Sequence, residues 1–238
     1  MKKLIILTMA VAAAFAVDAQ SRRRGAVGAD GGRAVAKGKD AQVAIVRKAA
    51  LGPASLQYAP SANGNSNLGK VFKKQRQWIV PEFEYKTQSD WLDELTVTWH
   101  VLLDSKTAKL RDKPAKDKEP IPRYSYFTVA VRYANIQKGS HAASCVLHPS
   151  MLERYGEPAI IAAVITNKDG DVLDFQNEGA DQVVGRKLAE KWWENDQVLS
   201  AKDNKTGVAL IARRQGLLDR SKTIFALINA DDYEMVVQ

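Results

Sequence analysis

The stretch Leu95-Thr96-Val97-Thr98-Trp99-His100-Val101-Leu102-Leu103 decides the fold class. Its apolar side chains recur at every second position, and this period of two places them on one face of a β-strand. The residues that share this face are Leu95, Val97, Trp99, Val101 and Leu103. We therefore predict a half-buried strand here, with Trp99 as a central residue of the core.

The chain from residue 76 onward repeats this β pattern. Further strands are predicted at 78–85 with Pro81 at an edge or bulge, at 124–136, at 141–147, at 159–166 and 171–175 around a turn at 167–170, at 207–213, at 223–228 and at 233–237. Seven to nine antiparallel strands with one apolar face each must pack as two layers or close into a barrel. We predict a mainly β fold, an immunoglobulin-like antiparallel β-sandwich with one or two short inserted helices. A different sandwich topology and a small barrel remain open alternatives.

Two segments favour the inserted helices. Residues 149–156 begin with Pro149, which suits a first helical turn, and end with Gly156, which suits a helix exit. Residues 186–195 could form the second short helix. The charged stretch 104–122 between two predicted strands reads as a solvated loop.

The first 19 residues have the three-part layout of a secretory signal peptide. Lys2 and Lys3 form the positive start, residues 4–17 are almost wholly apolar, and small or branched residues precede Gln20. The apolar run is shorter than the ~20 residues that a membrane-spanning helix needs. We therefore predict an exported protein of the periplasm or cell surface, with no transmembrane span in the mature chain.

The single cysteine, Cys145, excludes an internal disulfide and, because it is far from the cleavage point, a lipid-anchored lipoprotein. Its apolar surroundings favour a buried small hydrophobe. A pilin-type processing site is also absent from the first residues. These observations predict a chain that is not a pilin subunit processed in that way.

The net charge of +8 is concentrated near the N-terminus. Residues 20–75 carry eleven basic and two acidic residues, whereas 76–238 carry twenty-two basic and twenty-four acidic ones. The basicity therefore does not indicate a basic nucleic-acid-binding face on a folded domain, and no specific nucleic-acid partner is expected. We predict a signal peptide at 1–19, a basic, largely disordered tail at 20–75 and a sandwich domain at 76–238. Within the tail, residues 40–51 favour a short helix or, almost equally, a strand.

Two groups of residues are candidate binding sites. The triplet Arg22, Arg23 and Arg24 could tether the chain to an anionic surface polymer, although an incidental charge on a solvated linker explains it too. Trp192 and Trp193 are adjacent, so on a helix one ring would pack and the other would be partly exposed. An exposed Trp could stack on a sugar or anchor a partner, whereas the simpler interpretation is helix packing on the sandwich.

No motif indicates catalysis, a metal site or a cofactor. The three histidines, His100, His141 and His148, lack metal-ligand spacing and are predicted at the surface or at strand ends. The run from Asn167 to Asp174 resembles the start of a calcium loop, but Asn-Lys-Asp-Gly is also what a β-turn requires. No catalytic serine, phosphate-binding or dinucleotide fingerprint is present, so we predict no enzyme activity and no cofactor.

The combination of export signal, basic tail and disulfide-free sandwich resembles an exported immunoglobulin-like protein encoded among type IV pilus-like genes. The resemblance covers residues 76–238 and rests on the general residue pattern, including that of 78–81 and 95–103. It implies a sandwich similar to archaeal pilin domains and partners among envelope or pilus-assembly proteins.

The predicted function is therefore a non-enzymatic binding or assembly module of the cell envelope, pilus-associated and with a role in adhesion. The alternative is an exported carbohydrate-binding protein or hydrolase that uses Trp192 or Trp193 with nearby carboxylates.

Overall fold

The computed structural model describes residues 42–50, 56–58, 77–107, 122–179, 182–183, 186–226 and 234–235. Its strands are β1 (Val43–Arg47), β2 (Leu56–Tyr58), β3 (Gln77–Ile79), β4 (Glu82–Asp104), β5 (Tyr124–Leu147), β6 (Glu157–Asn167), β7 (Val172–Gly179), β8 (Gln182–Val183), β9 (Arg186–Lys187), β10 (Ile211–Arg214), β11 (Leu217–Asp219) and β12 (Glu234–Met235). Its helices are α1 (Pro149–Tyr155) and α2 (Asp196–Leu199), and single 3₁₀ turns span 105–107, 192–194 and 220–222.

Two long strands organise the fold. β4 has 23 residues and β5 has 24, and they pair antiparallel from Glu82 opposite Ser144 to Asp104 opposite Tyr124. The predicted apolar face of residues 95–103 is confirmed, because its five side chains are at most 1% exposed and all lie in one core cluster. Trp99 is fully buried in that cluster, as predicted.

The β4–β5 ribbon contributes both of its halves to one core. Its register shifts between Thr87 and Trp91, which marks a bulge where an antiparallel ribbon can bend. Phe83 on one side of the shift and Trp99 on the other have ring centroids only 5.1 Å apart. The prediction of a mainly β fold with two short helices is thus confirmed, and the architecture is sandwich-like.

The main sheet has the strand order β2-β3-β5-β4-β6-β7. β1 pairs with β4, and β10, β11 and β12 pair with β5. All of these pairings are antiparallel except that between β10 and β5. The predicted helix at 149–156 and the hairpin around 167–170 are confirmed as α1 and as β6–β7.

The predicted domain boundary at residue 76 is too late. β1 pairs with residues 84–87 of β4, and β2 pairs with β3, so strands of the sheet lie within the predicted tail. The charge count was taken over all 56 residues of the predicted tail, so it gave no weight to single apolar residues such as Val43. Val43 is 1% exposed and belongs to the main core. Of the two alternatives for residues 40–51, the structure has the strand.

β1 is also held by side chains of β7. The Asp174 carboxylate accepts a hydrogen bond from the Ile45 N–H at 2.7 Å, and the Gln176 side-chain carbonyl accepts one from the Ala49 N–H at the same distance. These side chains sit two residues apart and therefore point to the same face of β7. The two bonds fasten β1, and Ala49 just after it, to β7 in addition to the backbone pairing of β1 with β4.

Two predicted elements are wrong. Residues 186–195 do not form one helix but contain β9 and a 3₁₀ turn, because both tryptophans there pack against the sheet and tertiary packing overrides local helix preference. The predicted strand at 223–228 is a tight turn over its described residues, 223–226. There the Thr223 hydroxyl donates to the Arg220 carbonyl at 2.8 Å, and the Arg220 Nε donates to the Phe225 carbonyl at 3.0 Å.

Candidate functional site

The candidate site is a groove of about 320 Å³ beside the edge of β5 that faces away from β4. We call it the β5-edge groove. Its lining residues are Val129, Ala130 and Arg132 of β5, Leu217, Leu218 and Asp219 of β11, and Lys222 of the following turn. Residues about 90 positions apart in the chain meet here because β11 pairs with the far end of β5.

Backbone groups of β5 point into this edge. The Tyr124 N–H donates to the Leu210 carbonyl at 2.8 Å, away from β4. In a strand the N–H and C=O of one residue point to the same side, and the side alternates along the chain. The peptide groups of Thr128, Ala130 and Arg132 therefore also point away from β4.

On that side the parallel pairing of Arg214 with Phe127 directs the Arg214 carbonyl to the Thr128 N–H, so β10 reaches the first of these residues. β10 pairs with residues 124–127, and β12 pairs with residues 133–134. Within the described ranges this leaves Ala130 of β5, between the two paired segments, as the residue whose N–H and C=O are both open. The edge presents a backbone donor and an acceptor next to the apolar side chains of the groove.

The solvent-accessible charged side chains that line the groove are positive. The guanidinium of Arg132 donates a hydrogen bond to each carboxylate oxygen of Glu94, and its Nε lies 3.1 Å from Oε1. The hydrogen bond from Arg132 lowers the pKa of Glu94, and the same bond raises the pKa of Arg132. Lys222 is exposed and forms no ion pair with a described residue. Asp219 is only 7% exposed, and its carboxylate accepts a hydrogen bond from the Ser221 N–H at 2.9 Å, which caps the turn.

Cys145 lies on β5, where it pairs with Asp219 of β11, and its side chain is part of the main core. It is fully buried, and burial raises the pKa of its thiol well above the usual value, with a further contribution from the negative charge of Asp219. The prediction of a buried small hydrophobe is confirmed for this residue.

The predicted exposure of one ring in the Trp pair is wrong. Trp192 is fully buried and Trp193 is 8% exposed. The Trp192 ring contacts Tyr126 edge-on at 5.4 Å, and the Trp193 ring stacks on His100 at 4.9 Å. Both rings cover the face of β4, β5 and β6 that lies opposite the main core, so neither presents the open stacking platform that a sugar would need.

His100 lies inside this second aromatic cluster, contrary to its predicted surface position. It is 8% exposed, and its Nδ1 is hydrogen-bonded to the Tyr126 hydroxyl at 2.7 Å. Burial lowers the pKa of His100 to about 4, because the apolar surroundings penalise the charged imidazolium. The side chain is therefore a neutral core residue near pH 7.

The other two histidines have structural roles. His148 lies at the end of β5 and caps α1, where its Nδ1 accepts from the Ser150 N–H at 3.1 Å. His141 is half-buried, and its Nε2 lies 2.7 Å from the Gln137 carbonyl oxygen. Among the described residues, no group of three or more His, Cys, Asp or Glu side chains is arranged to hold a metal ion.

The Asn167 run is the turn of the β6–β7 hairpin. The Asn167 side-chain oxygen accepts hydrogen bonds from the N–H groups of Asp169 at 3.0 Å and Asp171 at 2.8 Å. This oxygen stabilises the turn, as the turn interpretation predicts.

Several predicted features lie outside the described residues. These are the signal segment 1–19 and the triplet Arg22, Arg23 and Arg24. No helix in the described part of the chain has the length and apolar character to cross a bilayer.

Sequence reasoning missed the groove and one exposed tryptophan. The groove has no local signal, since its walls come from segments distant in sequence. Trp91 is 49% exposed at the register shift of β4. Asp90 and Asp93 flank it, and these charges interrupt the alternation of apolar and polar residues along the strand. That interruption is the sequence signal that could have predicted an exposed tryptophan here.

The fold and the groove define a mainly β, sandwich-like protein whose candidate site is a surface groove at an open strand edge. A protein-family model matches residues 41–238, and the chain belongs to that family. A crystal structure of a protein from Akkermansia muciniphila is similar, with a TM-score of 0.55 and 17% identity. The match covers 83% of this chain and 94% of that one, and at this identity it shows the fold alone. No curated protein matches the sequence.

Proposed function

We propose that this chain is a non-enzymatic binding or assembly module of the cell envelope, associated with a pilus-like assembly and with adhesion. The β5-edge groove carries the proposal, because an apolar floor, a charged rim and unpaired backbone groups are features by which proteins hold other proteins.

The family supports this proposal. Its model covers residues 41–238 of this chain, and the similar crystal structure from Akkermansia muciniphila shares the mainly β, sandwich-like fold. The likeness to archaeal pilin sandwich domains stays a prediction. Export through the segment 1–19 and a location in the periplasm or at the cell surface belong to the same proposal.

Site-specific cross-linking in the native cells tests the function. We expect a photoreactive benzoylphenylalanine at Thr128, which is exposed on the open edge, to capture one or more envelope proteins. The matched control is the same group at Lys168, which is exposed in the β6–β7 turn. Mass spectrometry of the adducts and of the membrane and soluble fractions provides the measurement. Identical adducts from both positions, or recovery of the chain only as a free monomer, would contradict the proposal.

The Arg triplet is proposed as a second, electrostatic contact with an anionic surface polymer. We expect the full-length mature chain to sediment with vesicles of anionic lipid at ~0.1 M salt and to be released near 1 M, because the Debye length falls from ~10 Å to ~3 Å. A variant with Arg22, Arg23 and Arg24 changed to Gln should be largely released at both salt concentrations. Equal sedimentation of the two chains would show that the triplet does not act as a tether.

The alternative of a carbohydrate-binding protein or hydrolase loses the feature on which it depended. It requires Trp192 or Trp193 at the surface, and both are buried.

A further inference from the structure

We propose that Trp91 and the polar side chains around it bind a neutral, β-linked pyranose sugar. We call this surface the Trp91 site, and it consists of Trp91, Asp93, Gln137 and the ion pair between Asp90 and Lys138. The site shares no residue with the β5-edge groove and so goes beyond the proposed function. The proposed role is binding alone, on a ring other than the two buried ones at 192–193.

A bulge in β4 turns the Trp91 ring toward solvent. The ladder passes from Thr87 opposite Gly139 directly to Trp91 opposite Gln137, so β4 carries more residues than β5 between these two pairs. The next residue, Leu92, is 9% exposed in the main core, whereas Trp91 is 49% exposed on the other face. The register shift therefore decides which way the ring points, and bulges commonly re-aim a side chain in this manner beside a functional site.

Hydrogen bonds hold the bulge in one geometry. The Thr87 hydroxyl is 4% exposed, donates to the Gln137 carbonyl at 2.7 Å and accepts from the Gly139 N–H at 3.0 Å. Within the bulge, the Ser89 hydroxyl accepts from the Gln42 side-chain amide at 3.2 Å. The ring therefore stands on a backbone that is fixed before a ligand arrives, which lowers the ordering cost of binding.

The side chains beside the ring supply both hydrogen-bond donors and acceptors. Gln137 is exposed directly across the ladder, and Asp93 is exposed two residues further along β4. Neither side chain has a hydrogen-bond partner among the described residues. The exposed Lys138 ammonium lies 3.3 Å from the Asp90 carboxylate, next to them. Sugar hydroxyls both donate and accept, so an amide, a carboxylate and an ammonium can satisfy them together.

This mixture of groups favours a neutral sugar over a cation. A cation is attracted to the face of a tryptophan and to carboxylates. Here the Lys138 ammonium and the Gln137 amide N–H groups stand beside the same ring and would oppose a positive ligand. A β-linked pyranose has a flat face of C–H groups for the ring and a rim of hydroxyls for the polar groups.

The surroundings also differ from those of a protein-binding hot spot. A hot-spot tryptophan is packed within contacts that exclude water. Over the described ranges the other exposed large hydrophobic residues are Val46 and Ile224. Val46 lies on β1 beside the part of β4 that precedes the bulge, and Ile224 lies in the turn after β11. Neither extends Trp91 into an apolar patch.

An NMR titration of the ¹⁵N-labelled full chain tests the site. Each of the five tryptophans gives one indole N–H signal, and the signal that is missing in Trp91→Phe identifies Trp91. The probes are lactose, cellotriose and triacetylchitotriose. We expect at least one of them to move the Trp91 signal and to leave the signals of the buried Trp99 and Trp192 unchanged. Sorbitol has hydroxyls but no flat C–H face, so it should leave all five signals in place.

Three variants relate sugar binding to the ring and to the amide, with saturation-transfer NMR of the sugar as the readout. We expect Trp91→Ala to weaken binding about tenfold or more, as the loss of an aromatic anchor does. Gln137→Ala removes hydrogen bonds and should weaken binding about fivefold. Ile224→Ala removes an equally exposed hydrophobic side chain elsewhere and should bind as the parent does.

Several results would overturn the proposal. Equal sugar binding by the parent and Trp91→Ala, or a Trp91 signal that no sugar moves, would exclude the site. Movement of the signal by Nα-acetyl-lysine amide but by no sugar, with loss of that response in Asp93→Asn, would assign a cation site instead. Capture of an envelope protein by benzoylphenylalanine at position 91, again without any sugar response, would assign a protein contact.

The Trp91 site and the proposed function fail separately. Sugar binding that Trp91→Ala abolishes, with no envelope protein captured from Thr128, would keep the site and exclude the groove as a contact with envelope proteins. Capture from Thr128 with no sugar response at Trp91 would keep the proposed function and exclude the sugar site.

Discussion

Acidification from about pH 7 to pH 4 is expected to lower the free energy of unfolding by about 3 kcal/mol through His100 alone. The cause is the burial of the imidazole, which lowers its pKa from 6.5 to about 4 in the folded protein. In the unfolded chain the same group titrates near its ordinary pKa. The unfolded state therefore binds more protons than the folded state throughout this window.

The sign and the range of the effect follow from that difference. Above pH 6.5 the imidazole is neutral in both states and the stability is fully present. As the pH falls from 6.5 toward 4, protons bind the unfolded chain first, so stability is lost progressively and the loss levels off below pH 4. Urea unfolding at a series of pH values measures this loss.

Two variants isolate the contribution of His100 from the carboxylates that also titrate in this range. His100→Gln removes the imidazole, so the difference in pH dependence between parent and variant reports His100 alone. Tyr126→Phe removes the 2.7 Å hydrogen bond but leaves the ring buried against Trp193. Because burial is the cause of the shift, the Tyr126→Phe chain should keep the pH dependence. Parallel pH profiles for the parent and His100→Gln would exclude this account.

The position of His100 shows where sequence reasoning succeeds and where it fails. Alternation placed His100 on the face opposite Trp99, and that placement is right. The inference that this face meets solvent is wrong, because Trp192 and Trp193 cover it from a segment about 90 residues away. A period of two identifies the two faces of a strand, but long-range packing decides whether the second face is also buried.

The same physical limit applies to the ends of the fold and to the site. Local pattern found α1 and the β6–β7 hairpin, whose signals are proline, glycine and turn residues within a few positions. It placed the domain start too late, since β1 is short and is held by Asp174 and Gln176, which no local window includes. The β5-edge groove has no sequence signal at all, because it exists only where β11 returns to β5.

Replacing Trp99 with alanine is expected to lower the free energy of unfolding by about 3–5 kcal/mol, a large part of the 5–15 kcal/mol that typical domains possess. The ring is fully buried and packs against Phe83 from the other half of β4. Its removal leaves a cavity where the two halves of the β4–β5 ribbon meet. The midpoint of urea unfolding, followed by far-ultraviolet circular dichroism, measures the loss.

Trp91 provides a control of the same residue type on the same strand. It is 49% exposed, so Trp91→Ala should change the stability by no more than about 0.5 kcal/mol. Trp99→Phe should cost less than half of Trp99→Ala, because it keeps an aromatic ring against Phe83 and removes an indole N–H that has no hydrogen-bond partner among the described residues. Similar losses for the alanine variants of Trp91 and Trp99 would mean that Trp99 does not join the two halves of the ribbon. The two-layer core would then have to be held together elsewhere.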